Sequence, residues 1–112
     1  MIDSYSLGEI TISGKRYTSD VIIFEDTIKD DWWRREGHSL DPADLSEVIS
    51  AKPEVLVVGT GNSGLMKIPP ETADFIKSKG IELIAQPTTE ACQTYNKLSK
   101  SKKVIACLHL TC

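Results

Sequence analysis

No apolar run in this chain approaches the roughly 18 residues that a membrane-spanning helix requires. The first residues, Met-Ile-Asp-Ser-Tyr, hold no basic stretch leading into an apolar one, so no secretory signal is expected. A basic surplus is also missing. Lys and Arg number 13 against 16 Asp and Glu, a net charge of −3, which is the wrong sign for a general nucleic-acid binder. Cysteines are three and odd in number, with no framework spacing. A disulfide scaffold is therefore excluded, and a reducing compartment, the cytoplasm, is expected. With two histidines in the whole chain, the stock of groups that titrate near neutrality is thin.

What remains is an ordinary globular composition: 112 residues, 40% hydrophobic and 26% charged. That suits one domain spanning residues 1–112, with enough length for its own core. Charge is uneven, with 12 acids against 6 bases in residues 1–54 and 4 against 7 in residues 55–112. Residues 7–12 and 15–18 flank Ser13-Gly14 and predict a β-hairpin with a tight turn. Residues 20–25 form a β-branched apolar run and predict a strand. Residues 26–40 have no period and predict a long irregular connection, with a short strand through Trp32-Trp33. Asp41-Pro42 opens a helix, with Asp as N-cap and Pro at the first position. Val55 to Gly59 is continuously apolar, the pattern of a strand buried on both faces. A second helix is expected over 70–79, closed by Gly80, and a strand over 81–84. A third helix, capped by Thr88 or Thr89, runs to about Lys100, and a last strand covers Val104 to Leu110. Alternation of strand and helix in the second half calls for parallel pairing through crossovers.

Gly59-Thr60-Gly61-Asn62-Ser63-Gly64 satisfies G-x-G-x-x-G literally. A dinucleotide site also needs a helix opening at the second glycine and an acid closing the next strand. Pro69 and Pro70 delay the helix, and Ala85-Gln86 stand where the acid belongs. Nor does a Lys follow the loop as in a phosphate-binding P-loop. No cofactor is expected. A glycine loop after a central strand still marks the crevice where open α/β sheets bind small ligands. Cys107, His109 and Cys112 are the one Cys/His cluster in sequence, and C-x-H-x-x-C is not a usual zinc spacing. Cys92 or His38 would complete a set only if the fold brought them close, and no metal is expected. Trp32, Trp33, Arg34 and Arg35 concentrate the residue types that anchor protein interfaces.

One combination extends over nearly the whole chain. It comprises Trp33 and Arg35, Gly37-His38, Pro42, Asp44-Leu45, Val57-Val58-Gly59-Thr60-Gly61, Pro70-Glu71, Gly80-Ile81, Thr88 with Ala91, Tyr95-Asn96, and His109-Leu110-Thr111-Cys112. In this order the chain resembles a small family of unknown function spread through archaea, bacteria and eukaryotes. The third mitochondrial complex I assembly factor and the adipogenesis-associated domain protein share that family. The resemblance implies a three-layer β+α/β/α fold, with a mixed central sheet whose last strand runs antiparallel to its neighbours and an N-terminal β-hairpin. It implies no established catalysis, since eukaryotic members act in assembly or regulation. Matched positions expected to line a crevice are Gly59, Thr60, Gly61, Thr88, Thr89, Ala91 and Asn96, with Trp33 and Arg35 at its border.

The expected function is that of a non-catalytic binding or assembly factor whose contact surface includes Trp33 and Arg35. The alternative is a small-molecule site for an anion or carbonyl, built from Gly59–Gly64 and the start of the third helix. An unknown protein partner and a homodimer through a free hairpin edge are the expected associations. Neither nucleic acid nor membrane is expected.

Overall fold

Ser13 and Gly14 both take positive φ, 48° and 84°, the requirement of the two-residue turn that suits strand twist. That turn joins β2 (Glu9–Ile12) to β3 (Lys15–Tyr17). A further strand the sequence does not announce, β1 (Ile2–Ser6), lies antiparallel on the other side of β2, so the expected hairpin is a three-stranded meander. The computed structural model describes residues 1–112. After the meander come β4 (Val21–Ile23) and the two-residue β5 (Ile28–Lys29). The short strand expected through the tryptophans therefore falls earlier, at β5, and both tryptophans lie in irregular chain.

Asp41 caps the next element as its sequence implies. Its carboxylate accepts from Ala43 N at 2.9 Å, while Asp44 Oδ2 accepts from Asp41 N at 2.9 Å. The turn so opened is 3₁₀ over Pro42–Leu45 and passes into α1 (Ser46–Ala51). Then follow β6 (Val55–Thr60), α2 (Pro70–Ser78), β7 (Glu82–Gln86), α3 (Thr88–Leu98) and β8 (Val104–His109).

The central sheet has the order β5-β4-β8-β6-β7. Strand β8 is parallel to β6 and antiparallel to β4. The expectation that the last strand opposes its neighbours thus holds on the β4 side and is corrected on the β6 side. Helical crossovers carry the chain from β6 through β7 to β8 and return it in one direction. Strand β4 belongs to the antiparallel first half and meets β8 from the other side.

Strands β4, β6 and β8 are buried along their whole length. Alternate side chains feed two cores, as a period of two demands. Val21, Ile23, Val55, Val57, Ala106 and Leu108 pack with the meander and α3, through Ile2, Ile10, Ile12, Ala91 and Tyr95. Ile22, Leu56, Val58, Ile105 and Cys107 pack with α1, α2 and the loops, through Val48, Ile76, Leu40, Met66 and Trp32. The result is three layers, meander plus α3, sheet, and α1 plus α2. No helix is long and apolar enough to cross a membrane.

Candidate functional site

Antiparallel pairing of β4 with β8 sets Val21 opposite Leu108. Asp20, one residue before β4, therefore meets His109 and Leu110 at the end of β8. Asp20 Oδ1 accepts from Leu110 N at 2.8 Å, and Oδ2 lies 2.7 Å from His109 Nδ1. The third member arrives from the long connection. Trp32 N donates to Asp20 O at 3.0 Å and Asp31 N to Ser19 Oγ at 2.9 Å, which ties that chain to the start of β4. Trp32 is buried, and its Nε1 donates to Asp44 O at 3.4 Å. Arg34 lies over the Trp32 ring at 4.7 Å, a cation–π contact. From there Arg34 Nη2 donates to Asp20 Oδ2 at 2.8 Å and to Gly37 O at 3.0 Å.

Both hydrogens of Nη2 are thus committed, although Nη2 also lies 3.0 Å from His109 Nδ1. At 2.7 Å from a carboxylate oxygen, His109 Nδ1 must carry the proton, and Nε2 is the nitrogen left over. Burial alone would raise the Asp20 carboxyl. Hydrogen bonds from His109, Leu110 N and Arg34 together outweigh burial and hold it below the usual carboxylate value. The Arg34 and His109 side chains are 4% and 6% exposed. Three of their atoms, Arg34 Nε, Arg34 Nη1 and His109 Nε2, are buried without a hydrogen-bond partner.

A cavity of about 460 Å³ adjoins this cluster, lined also by Trp33, His38, Thr111 and Cys112. A larger depression of about 610 Å³ lies between the β4–β5 turn and α1, where Glu25, Asp26, Glu47 and Lys103 line it. Its three carboxylates are exposed, Lys103 Nζ donates to Ala51 O, and it holds no orphaned buried group. The first cavity is therefore the candidate site.

Most of the residues expected to form a crevice gather elsewhere. Gly59, Thr60, Gly61 and Thr88 meet in a closed junction where β6, α3 and the segment after β8 touch. Thr88 Oγ1 accepts from Gly61 N at 2.9 Å and donates to His109 O at 2.6 Å. Thr60 Oγ1 donates to Gln86 O at 3.1 Å. Thr88 thus bridges strands rather than capping α3, whose N-cap is Pro87. At Gly59 a Cβ would sit 2.8 Å from Thr88 Oγ1 and 2.9 Å from Leu108 Cδ2. The literal G-x-G-x-x-G thus opens with a glycine that lets the α3 terminus pack on β6. Ala91 is fully buried on the inner face of α3. Thr89 and Asn96 border a different hollow of about 210 Å³ beside Ile2 and Tyr5. Asn96 is engaged there, since Oδ1 accepts from Ile2 N at 2.9 Å and Nδ2 donates to Ile2 O at 2.8 Å. Trp33 stands at the mouth of the candidate site, 84% exposed. Exposed Arg35 faces the neighbouring hollow near Glu71 and Thr72.

The cysteines divide sharply. Burial pushes the Cys92 thiol up to about 12 and that of Cys107 higher still. Cys112 is half-buried, at the cavity. Iodoacetamide should therefore add one carboxamidomethyl group to the native protein, on Cys112, and three after denaturation. Intact mass and peptide mapping check this, and rapid native modification of Cys92 would contradict the packing.

A family model described as "Protein of unknown function (DUF498/DUF598)" matches residues 2–109. The chain belongs to this family. Among curated proteins it is similar to the "NADH dehydrogenase [ubiquinone] 1 alpha subcomplex assembly factor 3" of two vertebrates. Identity is 27% over 108 residues with the Xenopus tropicalis protein, covering 94% of this chain and 57% of the relative. With the Mus musculus protein it is 29% over 106 residues, covering 92% and 56%. The chain thus spans a little over half the length of these relatives. A conserved hypothetical protein from Pyrococcus horikoshii superposes with a TM-score of 0.87 at 28% identity, covering 100% of this chain and 99% of that one. A Xanthomonas campestris structure shares the fold, with a TM-score of 0.84 at 20% identity over 98% of this chain and 83% of the other. The resemblance read from the sequence is thereby shown, as is the layered α/β fold.

Asp20 and His109 were not paired by sequence. The one available signal is positional. Asp20 precedes one buried run and His109 ends another, and antiparallel neighbours bring such flanks together.

Proposed function

We propose that this protein is a non-catalytic binding protein of the assembly or regulatory type, which holds a protein partner at the rim formed by Trp33 and Arg35. One observation carries the reading. The Trp33 indole is 84% exposed on a loop whose adjacent residue, Trp32, is buried and hydrogen-bonded. A rigid, presented tryptophan beside an arginine is the residue pattern of an interface anchor. The names of the vertebrate relatives, both assembly factors, support the same class. Three free cysteines support a reducing compartment, the cytoplasm, as the place of action. The alternative, an anion or carbonyl site at Gly59–Gly64, has weaker support, because the Gly61 amide is already held by Thr88.

The test is affinity purification of the tagged chain from its own cells, beside the Trp33→Ala/Arg35→Ala variant. Loss of an interface tryptophan costs about 2 kcal/mol or more, so a specific partner should bind roughly 30-fold more weakly or vanish. The variant should melt within a few degrees of the parent, because both side chains are exposed. Equal capture by parent and variant rejects the rim as the contact surface. Light scattering on the same samples reads self-association, for which the free edge of β3 is the proposed seam.

A further inference from the structure

One group of side chains at the cavity is not explained by packing or by partner contact. His38 comes from the long connection, His109 from the end of β8, and Cys112 from three residues later. The two histidines and the thiol, separated by up to 74 residues in sequence, converge at Cys112 Sγ and His38 Nε2, 3.8 Å apart. One ligand atom from each of the three residues lies within 4.8 Å of the other two. We propose that His38, His109 and Cys112 form a binding site for a divalent zinc-type metal ion.

The donor set is chemically apt, since imidazole nitrogen and thiolate sulfur are the ligands zinc prefers. The spacing also fits. Zinc–sulfur and zinc–nitrogen bonds of about 2.3 and 2.05 Å at a tetrahedral angle set S and N roughly 3.6 Å apart. His38 is exposed and Cys112 half-buried, so both can close the remaining distance toward the fixed His109.

His109 supplies the independent sign of a ligand. Its Nδ1 donates to Asp20, which fixes the ring and leaves the lone pair on Nε2. That nitrogen is buried and unpartnered in a side chain only 6% exposed. A carboxylate behind a histidine whose far nitrogen is free is the usual outer-shell arrangement of a metal-bound imidazole. The sheet holds both parts rigidly, through the β4–β8 pairing and the Leu110 N bond to Asp20. Charge is also accommodated. Binding breaks the Cys112 S–H bond, releases the proton to solvent and forms a metal–sulfur bond. The thiolate then offsets part of the ion's charge, while Asp20 remains paired with Arg34. A fourth ligand, water, has room in the adjoining cavity of about 460 Å³. The proposal concerns ligand capture at the cavity and stands whether or not the Trp33 rim holds a partner.

The experiment uses the full chain, stripped with chelator under reducing conditions, with Co²⁺ and Zn²⁺ as the probes. Co²⁺ should bind one per chain and give thiolate-to-cobalt charge-transfer absorption, which Zn²⁺ then abolishes by displacement. The band should be absent in Cys112→Ser, and Zn²⁺ affinity should fall at least about tenfold in His38→Ala. Both substituted residues lie outside the cores, and circular dichroism of each variant confirms the fold. Cys92→Ser serves as the control that keeps both band and affinity. Absence of the charge-transfer band in the parent overturns the proposal. So does a Zn²⁺ affinity left unchanged by His38→Ala and Cys112→Ser, which would signal adventitious binding elsewhere on the surface.

Discussion

Asp20→Asn should lower the unfolding free energy by about 3–5 kcal/mol at neutral pH, the loss expected when a buried charge is left without its counterion. Arg34 is 4% exposed at its side chain, and Asp20 is its one ionic partner. Against a total stability of roughly 5–15 kcal/mol for a domain, such a loss would move the urea midpoint far down. An Asn amide can still accept the Leu110 N–H, but it cannot satisfy both Arg34 Nη2 and His109 Nδ1. Asp20→Asn/Arg34→Met separates the causes. Removing the stranded guanidinium should recover part of the loss, and a double variant no better than the single would reject the uncompensated charge as its origin. The pH dependence has a definite sign. Asp20 has a depressed carboxyl in the fold, so its contribution is fully present above the unfolded value of about 3.9. It fades as pH falls below that value toward the folded one. The gap between parent and Asp20→Asn should hence be constant above about pH 5 and narrow at lower pH, as equilibrium unfolding across pH would show.

Gly61→Ala has the second large effect. Gly61 has φ of 107°, a region that L residues rarely adopt, which costs about 1–3 kcal/mol for the backbone alone. A Cβ there would also lie 2.4 Å from Thr111 O and 2.8 Å from the Cys112 carbonyl carbon. Something must move, and the segment after β8 is what lies in the way. Gly80→Ala is the natural comparison, with φ of 75° and nothing within 4 Å of an added Cβ. Chemical denaturation should show Gly61→Ala clearly more destabilised than Gly80→Ala, and the difference measures the close approach. Equal losses would mean that the terminal segment yields freely.

Sequence pattern made the centre of this fold readable and left its margins dark. Strands β4, β6 and β8 are buried on both faces, so their residues must be apolar without interruption, and that signal is strong. Asp41-Pro42 is legible because a cap is local chemistry. Strand β1 escapes because three of its five residues are exposed and Ile2 alone is buried. The glycine loop follows a different logic. Glycine spacing reports that something comes close to the backbone, and here the visitors are Thr88 and Thr111 of the same chain. The Asp20–Arg34–His109 cluster joins residues 14 to 89 positions apart through a strand register that composition does not encode. Trp33 and Arg35 were visible as residue types, and what the fold adds is that Trp33 is held outward at the cavity mouth.

Strand order has a consequence for how the chain acquires its shape during synthesis. The innermost strand, β8, emerges from the ribosome after every other strand and helix of residues 1–112, yet it separates β4 from β6. Until residues 104–109 are free, the earlier strands cannot close into one sheet, and β4 and β6 each keep a naked hydrogen-bonding edge. Docking of the meander waits as well, because Tyr5 Oη and Gly8 N both donate to Leu110 O. Closure of the central sheet therefore requires a late, non-local insertion rather than accretion from the first residues onward. During that interval the chain presents two apolar strands to solvent, the state in which aggregation competes with folding.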